Sequence, residues 1–564
     1  EGADWVTYGN GYHNQRFSGL EQIDRETVSR LVPRWIYQTG VSATFQASPL
    51  VADGVMYVTT PRNHVVALDA ASGKTVWRYD HEMVSDTLCC GPANRGAAMG
   101  YGAVYQATAD GRLLALDRAT GEVRWDVTIA VLGSAPTESL DQLAEDDPLR
   151  DTEVAGASEL GASMAPLVHD GLVIAGVTGA GYGLHVGADA EGEVGAVVGF
   201  EGNFGKRGYM AAFDAATGAE VWRWYTTKPG GWEGEFRETT PTGVPLNRDI
   251  ATEKATAAQY ADAWQVGGGS LWSTPALDPD LGLIYFGTGN PAPQMDDVSR
   301  PGDNLYTVSL VAVDVRTGEL RWHHQHVPHD RWGYDVASPP VLFEVVHEGA
   351  IVQAVGEASK TGWYYVNDRV TGELLYLSEP FVPHRNIFAQ PTAEGVTIAP
   401  GAAGGASWSP TAFDPRTGFA YVAGLHMPTT FTVQERPATD TQPALRYSVL
   451  RMADEPRWGV LSAIDTRDRG SILWQAKTES ILVGGVLATA GGLVFMGEGD
   501  GNFNAYDSET GEMLWTFYCG AGVNAPPVTY EVGGVQYVAV AAGGHQMFGF
   551  PTGDAVIAFA LPAQ

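Results

Sequence analysis

The sequence predicts an all-β fold, an eight-bladed β-propeller of four-stranded antiparallel blades that occupies residues 1–564 as a single domain. Three observations predict it. A unit of Asp, three residues, Gly, three residues, Trp recurs along the chain. Each copy follows a short β-rich run and resumes as another, so the unit reads as a hairpin turn. The composition agrees: 70 glycines, 32 prolines and 16 tryptophans supply many turns and many large indoles.

The clear copies are Asp69/Gly73/Trp77, Asp117/Gly121/Trp125, Asp214/Gly218/Trp222, Asp314/Gly318/Trp322 and Asp507/Gly511/Trp515. Weaker ones are Asp368/Gly372/Tyr376, Asp414/Gly418/Val422 and Asp465/Gly470/Trp474, which completes eight. The Asp can hydrogen-bond the turn backbone, the Gly can take positive φ, and the Trp is placed to pack between neighbouring sheets. Most successive copies lie about 40–50 residues apart, the length of a four-stranded blade. Two wider intervals leave room for loop insertions near 131–160, 182–202 and 228–266. An open solenoid would instead need capping repeats, and none is evident.

Charge narrows the function. Lys plus Arg number 34 against 66 Asp plus Glu, a net charge of −32, which repels phosphate backbones and argues against a nucleic-acid partner. No apolar run reaches the ~18–20 residues of a membrane helix, so no membrane span is expected. The three cysteines, Cys89, Cys90 and Cys519, make no disulfide framework. A chain opening on Glu1 is consistent with a removed export signal.

Within DTLCCGPANRG, adjacent Cα atoms only about 3.8 Å apart would strain a disulfide between Cys89 and Cys90. Taken alone, the pair could equally be two buried thiols. With the opening DWVTYGNGYHNQRFSGLEQI and the spread of blade units, however, the chain resembles the quinoprotein alcohol dehydrogenases along essentially its whole length. That resemblance implies a pyrroloquinoline quinone (PQQ) and a metal ion in the propeller funnel. It implies a Cys89–Cys90 disulfide ring stacked on one face of the quinone, Trp272 on the other, and Arg95 on a quinone carboxylate. Gln46 (where relatives usually carry Glu), Ser163, Thr178, Ser270, Ser407 and Trp408 would complete the cofactor contacts. Lys360 would stand near the reactive carbonyl, where a cation stabilises developing negative charge. Asn290 would be a metal ligand, and oxygen donors suit Ca²⁺ or a lanthanide.

Departures from the family pattern matter as much. The usual catalytic Asp directly follows a Trp, but PHDRWGYD has Gly333 there and Asp335 two residues later. Asp335 is therefore expected to be the general base, a metal ligand or both, whereas Asp330 reads more readily as a surface carboxylate in a loop. The acidic metal ligand is displaced as well: Gly181 stands where Glu is expected, and the downstream match puts Asn203 in that register, with Glu201 two positions earlier. Val483 replaces a Trp of the funnel roof, which predicts more room for substrate. His323, His324, His326 and His329 invite a zinc reading, but no second cluster completes a tetrahedral set.

The resemblance thus implies a PQQ- and metal-dependent dehydrogenase that oxidises an alcohol, bulky secondary or cyclic, by hydride transfer to the quinone. The chain contains no C-x-x-C-H, so electrons are expected to leave to a separate acceptor, in this family typically a periplasmic cytochrome c. A polymer-alcohol or aldose dehydrogenase and a non-catalytic propeller scaffold are the rival readings.

Overall fold

The structure, a computed structural model, describes residues 3–83, 92–130, 153–154, 160–179, 185–188, 194–198, 206–437 and 445–562. Its repeated turns are built as their residue types dictate. Asp117 ends one strand and accepts from the backbone N–H groups of Ala119 (2.9 Å) and Thr120 (3.1 Å). Asp214, Asp314, Asp368 and Asp507 cap their own turns in the same way. The glycine of each unit has positive φ, and contact requires it too: a Cβ on Gly121 would stand 2.5 Å from the Trp77 ring.

That contact is the rule for joining blades. The indole Nε1–H of each motif Trp donates to a carbonyl in the turn of the next sheet. Trp77 donates to Arg118, Trp125 to Ala215, Trp222 to Val315, Trp322 to Arg369 and Trp474 to Ser508, all at 2.9–3.1 Å. Tyr376 serves the same purpose through its hydroxyl, 2.6 Å from Thr466 O. Trp515 donates to Leu31, and Trp35 donates to Ala70 in the first blade, so the series returns to its start. Eight sheets form this closed cycle.

The sheet between Trp515 and Trp35 corrects the motif count. It consists of Val528–Val532, Val535–Ala542 and Ala555–Ala560 with Val32–Gln38 from the opposite end of the chain, and Ile36 lies opposite Ile557. This blade has no Asp-Gly-Trp turn; Trp35 supplies its indole. The unit at Asp414 marks no blade of its own. It lies in the turn between Ala412–Asp414 and Phe419–His426, the first two strands of the sheet whose motif turn follows Asp465.

Residues 3–18 form a belt hydrogen-bonded to the innermost strands. Ala3 O accepts from Glu531 N, Trp5 pairs with Val51, and the carbonyls of Tyr12, His13, Gln15 and Arg16 accept from Leu277, Leu342, Phe413 and Ala488. Fully buried Arg16 cross-links three sheets by donating to Val486 O, Pro527 O and Ser48 Oγ. Its guanidinium also lies 5.3 Å from the Trp5 ring centre and 5.5 Å from that of Tyr8.

A ninth sheet lies outside the cycle. Its strands run in the order Glu153–Val154, His185–Ala188, Val194–Val198, Leu445–Met452, Thr429–Arg436 and Val396–Ile398, each paired with the next. The 228–266 insertion carries helix α1 (Ile250–Thr256), capped by the Asp249 side chain on Thr252 N. It is anchored by Arg248, buried between Glu253 (2.7 Å) and Asp303 (2.6 Å).

Candidate active site

Segments that enter the innermost strands of several blades meet around Arg95. Its carbonyl accepts from Ser48 N (3.0 Å) and its N–H donates to Ser163 O (2.9 Å), which fixes the backbone between two blades. The guanidinium lies between two indoles, 4.9 Å from the centre of Trp272 and 4.8 Å from that of Trp408. Nη1 donates to Ser163 Oγ (2.6 Å) and Trp272 O (3.3 Å). Four distant parts of the sequence are thereby brought to one point.

The acid–base side begins at the far edge of Trp272, whose Nε1–H donates to Asp335 Oδ2 (3.0 Å). Asp335 Oδ1 forms an ion pair with Lys360, and Lys360 Nζ also donates to Gly333 O (3.1 Å). Both side chains are largely buried, so the pair is sheltered from solvent screening.

Asp330 is buried, not the surface carboxylate expected, because the loop folds around it. It accepts from the N–H groups of Trp332, Gly333 and Tyr334 at 3.1–3.2 Å. Burial pushes its carboxyl up to about 6, while those N–H groups pull the other way. Fully buried Arg300 joins this loop to the one after Asn290, donating to Asp330 O (2.6 Å), Pro293 O (2.9 Å) and Asn304 Oδ1 (2.5 Å). The conformation also explains why the usual Asp position is glycine. Gly333 has φ +86°, and a Cβ there would lie 3.1 Å from Met295 Cε. Gly333→Asp should accordingly lower the melting temperature without replacing the function of Asp335, as thermal denaturation and single-turnover kinetics would reveal.

The remaining expected residues fall nearby by backbone pairing. Gly269 N donates to Asn290 O and Gly289 N to Ser270 O, both 2.8 Å, which places Asn290 beside Ser270 and Trp272. Leu271 N donates to Val177 O, setting Thr178 next to the same segment. Gly405 N donates to Lys360 O (2.7 Å), which brings Ser407 and Trp408 toward the lysine. Gln46 is buried two residues before Ser48. Gly181, Cys89, Cys90, Glu201 and Asn203 lie outside the described residues.

The Val483 reading changes. Val483 opens no vacancy: it is fully buried with Leu425, Met427 and Ile481, and Phe548 and Phe550 pack against this cluster. Val483→Trp should therefore overpack the core and cost about 1–3 kcal/mol, measurable by denaturant titration. Each of the four histidines has its own surroundings. His323 meets Tyr306 edge-on, His324 meets His326 edge-on, His326 stacks on Tyr365 at 3.7 Å, and Nδ1 of His329 lies 2.8 Å from Gly302 O.

Sequence reasoning overlooked Glu357, three residues before Lys360. It is fully buried, 3.8 Å from His326 Nδ1, and its carboxyl is held well above the usual range by burial, with the charge of Asp335 adding to the effect. An acidic residue inside a strand facing the core was the available signal.

The donor set fits a planar anionic cofactor beside a hard cation. Gln46 Oε1, Asn290 Oδ1 and Trp408 Nε1 are buried without hydrogen-bond partners among the described residues, an arrangement that is costly unless a ligand completes it. Among the described residues, no group of three or more His, Cys, Asp or Glu is arranged to hold a metal ion.

Comparison with known proteins decides the family. The PQQ family profile, described as glucose/ethanol/alcohol dehydrogenase, beta-propeller domain, matches residues 5–387 and 378–538. The chain belongs to this family. Quinohemoprotein alcohol dehydrogenase ADH IIB of Pseudomonas putida is 32% identical, over 96% of this chain and 74% of the relative. Quinoprotein alcohol dehydrogenase PedH, also from P. putida, is 32% identical over 95% of this chain and 86% of the relative. Among solved structures, the quinohemoprotein alcohol dehydrogenase of Comamonas testosteroni superposes with a TM-score of 0.79 at 29% identity, covering 100% of this chain and 81% of that one. A europium-containing methanol dehydrogenase gives 0.79 at 28% identity, covering 100% and 98%. The chain is thus a quinoprotein alcohol dehydrogenase, a PQQ-dependent oxidoreductase.

Proposed function

We propose that this quinoprotein oxidises bulky secondary or cyclic alcohols, uses Ca²⁺ or a lanthanide, and works in the periplasm with a cytochrome c as electron acceptor. The observation that carries the catalytic reading is the Trp272–Asp335–Lys360 array next to the Arg95 sandwich. When bound, PQQ supplies the hydride acceptor and the metal a Lewis acid. Asn290 and Asp335 would hold the metal, with Arg95, Ser163, Thr178, Ser270, Gln46, Ser407, Trp272 and Trp408 around the quinone.

The chain's own residues do the rest. Asp335 receives the proton of the alcohol hydroxyl. Its Oδ2 is oriented by the Trp272 N–H, and its Oδ1 is held by the ion pair with Lys360. The buried walls keep water away from the reacting groups. Ala402, Ala403, Phe548 and Phe550, all half-buried, support an apolar substrate body. The net charge of −32 supports a basic acceptor, whose steering would weaken with salt.

The test is reconstitution of the full chain with PQQ and either Ca²⁺ or a lanthanide, followed by dye reduction with methanol, secondary, cyclic, polymeric and sugar alcohols. Turnover of cyclic alcohols with higher kcat/KM than methanol is expected. Preference for methanol would reject the substrate reading, and preference for aldoses or polymeric alcohols would select a rival dehydrogenase. Absence of turnover with every alcohol would reject catalysis.

A further inference from the structure

A histidine on the loop 543–553 has no role in the reading so far, although the loop borders the cofactor pocket. The loop is pinned beside Gln46: Phe45 N donates to Gly544 O (3.2 Å) and Gln546 N to Thr44 Oγ1 (3.0 Å). Its own return is closed by Phe550 N donating to His545 O (3.1 Å). The His545 imidazole is 3% exposed, its ring centre 4.7 Å from that of Phe548. Nδ1 is buried and has no hydrogen-bond partner among the described residues. Gln46 Oε1 and Asn524 Nδ2 are likewise buried and unpartnered, and Asn524 adjoins Gly522, whose carbonyl accepts from Gly544 N.

Several polar atoms on this side of the pocket therefore await a partner that the described residues do not supply. A core histidine filling space would normally find a carbonyl or hydroxyl.

We propose that His545 is a cofactor-binding residue, its imidazole hydrogen-bonding an anionic oxygen of the quinone on the side of the pocket that Arg95 makes positive. Electrostatics agrees: burial, and then the Arg95 charge, lower the imidazole to about 3, so it enters this contact neutral. A neutral ring keeps one N–H to donate and adds no second positive charge beside Arg95. The inference rests on the PQQ reading above.

The experiment titrates PQQ into the cofactor-free full chain loaded with Ca²⁺ or a lanthanide, following tryptophan fluorescence. His545→Phe keeps the ring and its packing on Phe548 but removes the hydrogen bond, and should weaken Kd at least about tenfold. His545→Gln, which retains a donor, should stay within about threefold of the parent. The melting temperature of each cofactor-free variant is measured alongside, and Gln carries the comparison if Phe fails to fold. Parental affinity in His545→Phe, or a Gln variant as weak as a fully folded Phe variant, would overturn the assignment. A parent chain that does not bind PQQ at all would instead overturn the underlying functional reading.

Discussion

Asp335→Ala should lower kcat by about 10²–10⁴-fold, the usual contribution of a general base, in enzyme fully loaded with PQQ and metal. Asp335 is joined to Lys360 and receives the Trp272 N–H, and among the described residues no other carboxylate shares these two partners. Asp335→Asn should be almost as severe, because an amide accepts the same indole N–H but cannot accept the proton. Asp330 provides the contrast. Its carboxylate organises the backbone of Trp332, Gly333 and Tyr334, so Asp330→Ala should chiefly lower thermal stability. Asp330→Asn retains an acceptor oxygen and should preserve most of the turnover. Parental turnover in Asp335→Ala, with cofactor content measured, would remove this residue from catalysis.

Trp222→Ala should cost about 3–5 kcal/mol, the range for truncating a buried aromatic. The side chain is 7% exposed, donates to Val315 O at 2.9 Å and lies against Gly318, where a Cβ would come within 2.5 Å of its ring. Trp222→Phe should lose only about 1 kcal/mol for the hydrogen bond plus a modest packing term. Gly318→Ala should approach the cost of the Ala variant from the other side, by pushing the indole away. Denaturant titration measures all three. Equal stability of parent and Trp222→Ala would show that the indole is not what joins these sheets.

The propeller was legible because turn chemistry is local: Asp, Gly and Trp act within nine residues, and their spacing survives insertions of any length. The eighth blade was not legible, since its outer strand comes from the other end of the chain and no local pattern announces a partner so distant. Asp414 misled for a related reason. The interval from Asp414 to Asp465 matches a blade length, yet it contains the hairpin Thr429–Arg436 and Leu445–Met452 inserted within one blade. In the site, Trp272, Arg95, Lys360 and Asp335 were singled out by the family resemblance of the runs in which they stand, and the structure brings the four together. Asp330 and Arg300 were not, because their work is to hold backbone, and nothing in a sequence distinguishes a loop carboxylate facing solvent from one the loop folds around. Val483 was misjudged because the Phe548 and Phe550 packed against it come from a remote loop.

The junction of Val32–Gln38 with Ala555–Ala560 sets a timing constraint on the molecule. The second strand of this pair is synthesised more than 500 residues after the first, so the first must wait, unpaired, while that much chain is made. A nascent chain that stops short of Ala555 has two unmatched flanks, however many blades it has completed, and such edges invite association with other chains. Survival before completion therefore depends on holding the early strand apart from other strands, and the sequence assists: Pro33 removes one ladder donor and Arg34 adds a charge beside it. Two strands so distant in the chain that must nevertheless meet are each vulnerable, and loss of either one would expose the other.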